Sequence, residues 1–185
     1  MVDLVARLHA RPRRHLTLLV AVDGPTGAGR TGFVQALAIA DPDLEFVSVA
    51  DFHHLPGDRS GADGETGVRG IAEGVDWRRL RSQLLLPLNR DQPGRYSVLD
   101  ADTGLPAYWR EVPTGGIVVV EGVYSCLRQL AGFYDFRIWV RSPVTAPEEE
   151  AYLAAHDPAG SAHMRVEGSG VLAHDPAREY VRLRQ

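Results

Sequence analysis

An α/β fold with a mostly parallel sheet is predicted by three features of the sequence. Short, predominantly apolar runs at residues 16–22, 117–120 and 136–140 read as strands covered on both faces. They alternate with longer stretches of helical period, the pattern of strands that must be joined by crossover helices. A glycine-rich turn, Gly24 to Thr31, joins the first apolar run to a helical segment, where backbone N–H groups gather to meet an anion.

Taken in order, residues 2–10 carry Val2, Val5, Ala6 and Leu8 at helical spacing, and Pro12 closes that helix. Residues 16–22 form the first strand, and residues 31–40 form the helix after the turn, stopped at Asp41-Pro42-Asp43. A second short strand at 46–50 leads into Asp51-Phe52-His53-His54. Residues 56–74 are rich in Gly, Asp and Glu without periodicity, which predicts a mobile surface loop. Asp76 is a good N-cap for a helix over 77–88, whose Leu80, Leu84, Leu85 and Leu88 make one apolar stripe. Residues 96–99 and 107–112 flank a polar turn containing Asp100 and Asp102 and pair as a hairpin. The strand at 117–120 ends at Glu121-Gly122, and that at 136–140 ends at Arg141-Ser142-Pro143. A helix at 148–155, a weak strand at 163–166 and a terminal helix at 176–183 complete the expectation.

Composition narrows the function. With 185 residues and 44% hydrophobic content the chain suffices for a single domain, residues 1–185. A net charge of -4 provides no basic field for nucleic acid, and Arg11, Arg13 and Arg14 read as a solvated turn. The single cysteine, Cys126, excludes an internal disulfide and reads as a small packing residue. No apolar run approaches the ~20 residues of a spanning helix, and Arg7, Arg11 and Arg13 break any leader-like core, so no membrane partner and a cytoplasmic location are expected. All 20 residues counted as Lys or Arg are arginine.

The turn Gly24-Pro25-Thr26-Gly27-Ala28-Gly29-Arg30-Thr31 fits the phosphate-binding P-loop G-x-x-x-x-G-K-[ST] except that Arg30 replaces the lysine. Candidate nucleotide-binding residues are Gly24, Thr26, Gly27, Ala28, Gly29, Arg30, Thr31 and Gly32. In a chain with no lysine, Arg30 alone does not argue for lost function.

The run 20–29, Asp76-Trp77-Arg78-Arg79-Leu80-Arg81 with Pro87-Leu88, Arg95-Tyr96, Val118 to Tyr124 and Ile138-Trp139-Val140 together resemble the uridine kinase-like branch of the P-loop kinases. The resemblance implies a P-loop NTPase three-layer sandwich, with a mostly parallel sheet of about five strands flanked by helices. It also implies ATP and Mg2+ as cofactors and transfer of a phosphoryl group to a nucleoside or similar small-molecule alcohol. Thr31 and Glu121 would then ligate the metal. Glu73 falls where the family has an aspartate that contacts the ribose, and Tyr96 where an aromatic lines the substrate pocket, with core packing as its other reading. His53, with His54, follows the second strand at the mouth of the site, either as a proton acceptor or phosphate contact or as a solvent-facing pair.

Three departures qualify that picture. Arg30 is wider and more rigid than the lysine it replaces. The family's catalytic aspartate stands two positions before the phenylalanine, and here that position is Ala50. Asp51, the best available base, would project to the opposite side of an extended backbone. After residue 140 the arginine-rich lid is missing, and residues 141–147 run directly into Glu148-Glu149-Glu150. Two readings stay open: an ATP-dependent kinase, and a degenerate module that binds nucleotide or phosphate without catalysis. The sequence leaves the phosphoryl acceptor and the oligomeric state open.

Overall fold

The structure, a computed structural model, describes residues 1–54, 75–100, 102–168 and 181–182. The helices are α1 (Val2–His9), α2 (Arg30–Ala40), α3 (Trp77–Leu80, continuing through a π-helical stretch Arg81–Leu85 into Leu86–Leu88), α4 (Arg128–Ala131), α5 (Pro147–His156) and α6 (Pro158–Ser161). The strands are β1 (Leu18–Asp23), β2 (Glu45–Ser48), β3 (Gly94–Leu99), β4 (Pro106–Val112), β5 (Ile117–Glu121), β6 (Phe136–Arg141), β7 (Met164–Glu167) and β8 (Val181–Arg182).

Six strands form one sheet in the order β2-β5-β1-β6-β7-β8, and β3 and β4 form a separate antiparallel hairpin. The first five strands of the large sheet are parallel, and β8 is an antiparallel edge on β7. The expected parallel sheet is therefore present. Its core follows from strand alternation. Leu19 and Ala21 of β1, with Val118 and Val120 of β5, pack under α3, the hairpin and α5. Leu18, Val20 and Val22, with Ile117 and Val119, pack under α1 and α2. Both faces are covered, which is why every β1 residue is buried.

Asp76 caps α3 as expected, its Oδ1 accepting from Arg79 N at 2.9 Å. The stripe Leu80, Leu84, Leu85 and Leu88 is fully buried, and truncating one such leucine to alanine costs about 2–5 kcal/mol. The hairpin lies against this helix through Gly94 and Tyr96.

Two expectations are corrected. Residues 49 and 50 do not extend the second strand: Ser48 Oγ accepts from Ala50 N at 3.3 Å and turns Val49–Phe52 into a 3-10 helix. Residues 181 and 182 belong to strand β8 rather than to a terminal helix, because pairing with Glu167 and Val166 outweighs local propensity. The loop expected at 56–74, including Glu73, lies outside the described residues. Among the described residues no helix is long and apolar enough to cross a membrane.

Register places the carboxyl ends of the central strands level, with Val22 opposite Glu121 and Asp23 opposite Trp139. Between β1 and β2 the chain crosses over β5, so the direction of winding reverses about these carboxyl ends, where parallel sheets place their ligand crevice.

Candidate functional site: the glycine-rich loop at the end of β1

The loop leaves β1 at Asp23 and enters α2 at Arg30. Gly29 caps α2 in the left-handed conformation (φ 82°), with no side chain serving the first-turn amides. Those N–H groups have no intrahelical partner and, with the helix dipole, favour an anion. Gly27 is also left-handed (φ 76°), and a Cβ there would meet nothing within 4 Å, so the loop is open on that side. On its other side a Cβ on Gly29 would collide with the Gly168 carbonyl just beyond β7.

Arg30 points from the first turn of α2 toward Glu121 at the end of β5, Nη1 to Oε2 at 3.5 Å. That is a long ion pair, and Arg30 Nε is buried without a hydrogen-bond partner. Thr31 is exposed at the helix start.

Thr26 is already engaged. Its N–H donates to both carboxylate oxygens of Glu149 at 3.1 and 3.2 Å, and its hydroxyl donates to Oε1 at 2.6 Å. Glu149 lies in the first turn of α5 and is only 4% exposed, while Glu148 and Glu150 are exposed.

Asp23, directly before the loop, is fully buried. It accepts from Gly24 N at 2.7 Å, Cys126 N at 2.8 Å and the Tyr152 hydroxyl at 2.5 Å. Burial raises its pKa from 3.8 to about 6, against the lowering effect of these three donors and of Arg30. Cys126 is itself buried, as a packing residue should be, and burial pushes its thiol up. Tyr124, on the turn after β5, is left-handed (φ 74°), and its ring meets that of Tyr152 edge-on at 4.8 Å.

Asp51 sits in the 3-10 turn, so the alternation that would aim it away from the site does not apply. Its carboxylate accepts from the Tyr96 hydroxyl at 3.3 Å. Burial raises the Asp51 pKa, Tyr96, Arg110 and Arg79 oppose the rise, and the charge of Glu121 adds to it. Asp51 and Glu121 therefore belong to one electrostatic cluster at the mouth of the crevice. Tyr96 both packs and positions: its ring is buried and lies 4.8 Å from that of Phe52, while its hydroxyl receives Arg110 Nη1 at 3.1 Å. Arg110 also pairs with Glu45. Partial desolvation, with the charges of His54 and Arg79, lowers the pKa of His53, which keeps much of its surface in solvent and forms a β-bridge with Val75. The turn itself is held by Arg79, which donates to the carbonyls of Asp51, His53 and Ser97. Asp100 accepts from Thr103 and Asp102 N, as a turn residue rather than half of a carboxylate pair.

Sequence reasoning missed Asp23, Arg79, Arg110 and Tyr152, and it noted Glu149 only as part of an acidic run. An acid placed directly before the first loop glycine was the one local signal; the others depend on tertiary contacts. Among the described residues no group of three or more His, Cys, Asp and Glu side chains could hold a metal. Oxygen donors remain at Thr31, exposed at the start of α2, and at Glu121, held by the long pair with Arg30; Arg30 Nε is unpartnered and Gly27 has an open face.

No protein-family model matches the sequence, and no curated protein matches it. Solved structures do match the fold. A possible uridine kinase from Bacillus stearothermophilus superposes with a TM-score of 0.71 at 19% identity, covering 89% of this chain and 96% of its own. A candidate fructose transport system kinase from Silicibacter sp. TM1040 gives 0.59 at 23% identity, covering 96% and 85%. Phosphoribulokinase from Rhodobacter sphaeroides gives 0.54 at 15% identity, covering 82% and 70%. The chain therefore has the α/β fold of the P-loop kinases, in the form seen in uridine kinase-like and phosphoribulokinase structures.

Proposed function

We propose that the loop over residues 24–31 binds the phosphates of a nucleotide, ATP with Mg2+, and that the crevice beside it transfers a phosphoryl group to a nucleoside or another small alcohol. The observation that carries this reading is the loop: two left-handed glycines, an open face at Gly27 and the uncapped amides of α2. The Thr31 hydroxyl and the Glu121 carboxylate are hard oxygen donors of the kind magnesium takes alongside water and phosphate oxygens. The ion, when bound, neutralises charge on the phosphates. Arg30 supplies a fixed positive charge at the α2 end, shared with Glu121. Asp51 is the proton acceptor for the alcohol, since burial moves its carboxyl toward neutral pH and Tyr96 orients it. Tyr96 and His53 border the acceptor side.

A second reading is a module that binds nucleotide without turning it over. It is favoured by the absence of arginine after Arg141 until Arg165, where the resemblance implies a guanidinium-bearing lid. A transition-state arginine is worth on the order of 10³–10⁵ in rate.

Titration calorimetry with ATP and Mg2+, followed by a turnover assay on a panel of nucleosides, tests both. Binding is expected, and Arg30→Ala should weaken it by roughly tenfold or more through loss of charge-assisted contacts. Turnover above the rate without protein selects the kinase, binding without turnover selects the module, and absence of binding overturns both. If Arg30→Lys raises turnover by orders of magnitude, the loop cation alone limits the chemistry.

A further inference from the structure

We propose that Glu149 is a specificity-determining residue of the loop: its carboxylate occupies one phosphate seat, so that the site takes a nucleoside diphosphate in preference to a triphosphate. The proposal rests on the nucleotide-binding part of the reading above, in its second form, the module without turnover, and names the length of phosphate chain that the loop accepts.

The Glu149 carboxylate takes from Thr26 the contacts a phosphate oxygen would take, two from the backbone N–H and one from the hydroxyl. Carboxylate and phosphate oxygens compete for the same donors because both accept short, charge-assisted hydrogen bonds. Acidic residues in the first turn of a helix are ordinary, since they complement the dipole, and exposed Glu148 and Glu150 serve that end. Glu149 differs by being buried on the loop, and among the described residues no cation pairs with it.

The helix that carries Glu149 is also anchored. One turn further along α5, Tyr152 is fully buried and donates to Asp23 at 2.5 Å. At the end of the helix, His156 Nδ1 accepts from Arg128 N at 3.2 Å. Withdrawing Glu149 together with its backbone would break the bond to Asp23, at the base of the loop.

The two ends of the loop are therefore unlike. At the α2 end the first-turn amides and Arg30 are positive, while at the Thr26 end the donors are spent on a buried negative charge. A phosphate chain seated on α2 is attracted until it reaches Thr26, where its next dianionic group faces Glu149 at short range and low effective dielectric. A chain one phosphate shorter avoids that encounter.

Calorimetry of the whole chain with Mg2+ and ADP or ATP tests this, using the unaltered protein, Glu149→Gln and Glu149→Ala, with circular dichroism to confirm folding. The unaltered protein should bind ADP at least tenfold more tightly than ATP. Glu149→Gln keeps volume and an acceptor oxygen but removes charge, and should narrow that ratio. Glu149→Ala should raise ATP affinity tenfold or more while changing ADP affinity less than threefold. If Glu149→Ala does not fold, the ratio in Glu149→Gln decides. An unaltered protein that prefers ATP, or a ratio that the variants leave unchanged, overturns the role of Glu149 while leaving nucleotide binding in place. If neither nucleotide binds to the folded unaltered protein or to either folded variant, the nucleotide reading falls, and this proposal with it.

Discussion

The Tyr152 hydroxyl donates to the Asp23 carboxylate at 2.5 Å and so joins α5 to the strand that carries the glycine-rich loop. Asp23 has no exposed surface, and water cannot share its charge. Its partners compensate only in part, because burial still raises its pKa from 3.8 to about 6.

That shift sets a pH dependence of stability. Between pH about 4 and 6 the folded chain holds a proton on Asp23 that the unfolded chain has released, so this group's contribution falls as pH rises through the window. The two limits differ by roughly 3 kcal/mol. Urea unfolding of the unaltered chain and of Asp23→Asn at pH 4.5 and 6.5 should show the unaltered chain losing ground to the variant as pH rises. A difference independent of pH would mean that Asp23 stays ionised throughout.

Gly27 and Gly29 have nearly the same positive φ, 76° and 82°, but different surroundings. Gly27→Ala meets open space and should cost about 1 kcal/mol, the strain of the left-handed region. Gly29→Ala drives a methyl group into the Gly168 carbonyl, where backbone rather than a flexible side chain has to yield, and should cost ~3 kcal/mol or more. Denaturant melts of the two variants should separate clearly. Equal losses would show that the loop moves away from β7 at little cost.

Tyr96→Phe removes the hydroxyl that lies between Asp51 and Arg110. That hydrogen bond favours the charged form of Asp51, so its loss should move the carboxyl titration to higher pH. Carbon-detected NMR of labelled aspartate reads the shift directly, and any turnover should lose its acidic limb at correspondingly higher pH. A titration that moves to lower pH would show that Tyr96 is not the donor Asp51 depends on.

The strands and the loop were legible because their causes are local. β1, β5 and β6 are rich in apolar residues as a consequence of being covered on both faces, and Gly27 and Gly29 mark positions where a Cβ carries strain. The course of the chain at Asp51 was not legible. One hydrogen bond from Ala50 N to Ser48 Oγ turns an expected strand into a 3-10 helix, and with it the direction of the candidate base. The seat of Glu149 was hidden for another reason. Its partner lies 123 residues away in sequence, and the acidic run around it would look the same on any exposed helix start. The strand at 181–182 exists through its pairing with β7, which no local pattern announces.

Where Gly168 meets Ala28 and Gly29, the glycine-rich loop rests on polypeptide backbone at the end of β7, with the Val140 side chain beside the contact. Because β8 pairs with that same strand, the edge of the sheet is mechanically in series with the loop. A displacement of the loop would thus bear on that edge through backbone contacts alone.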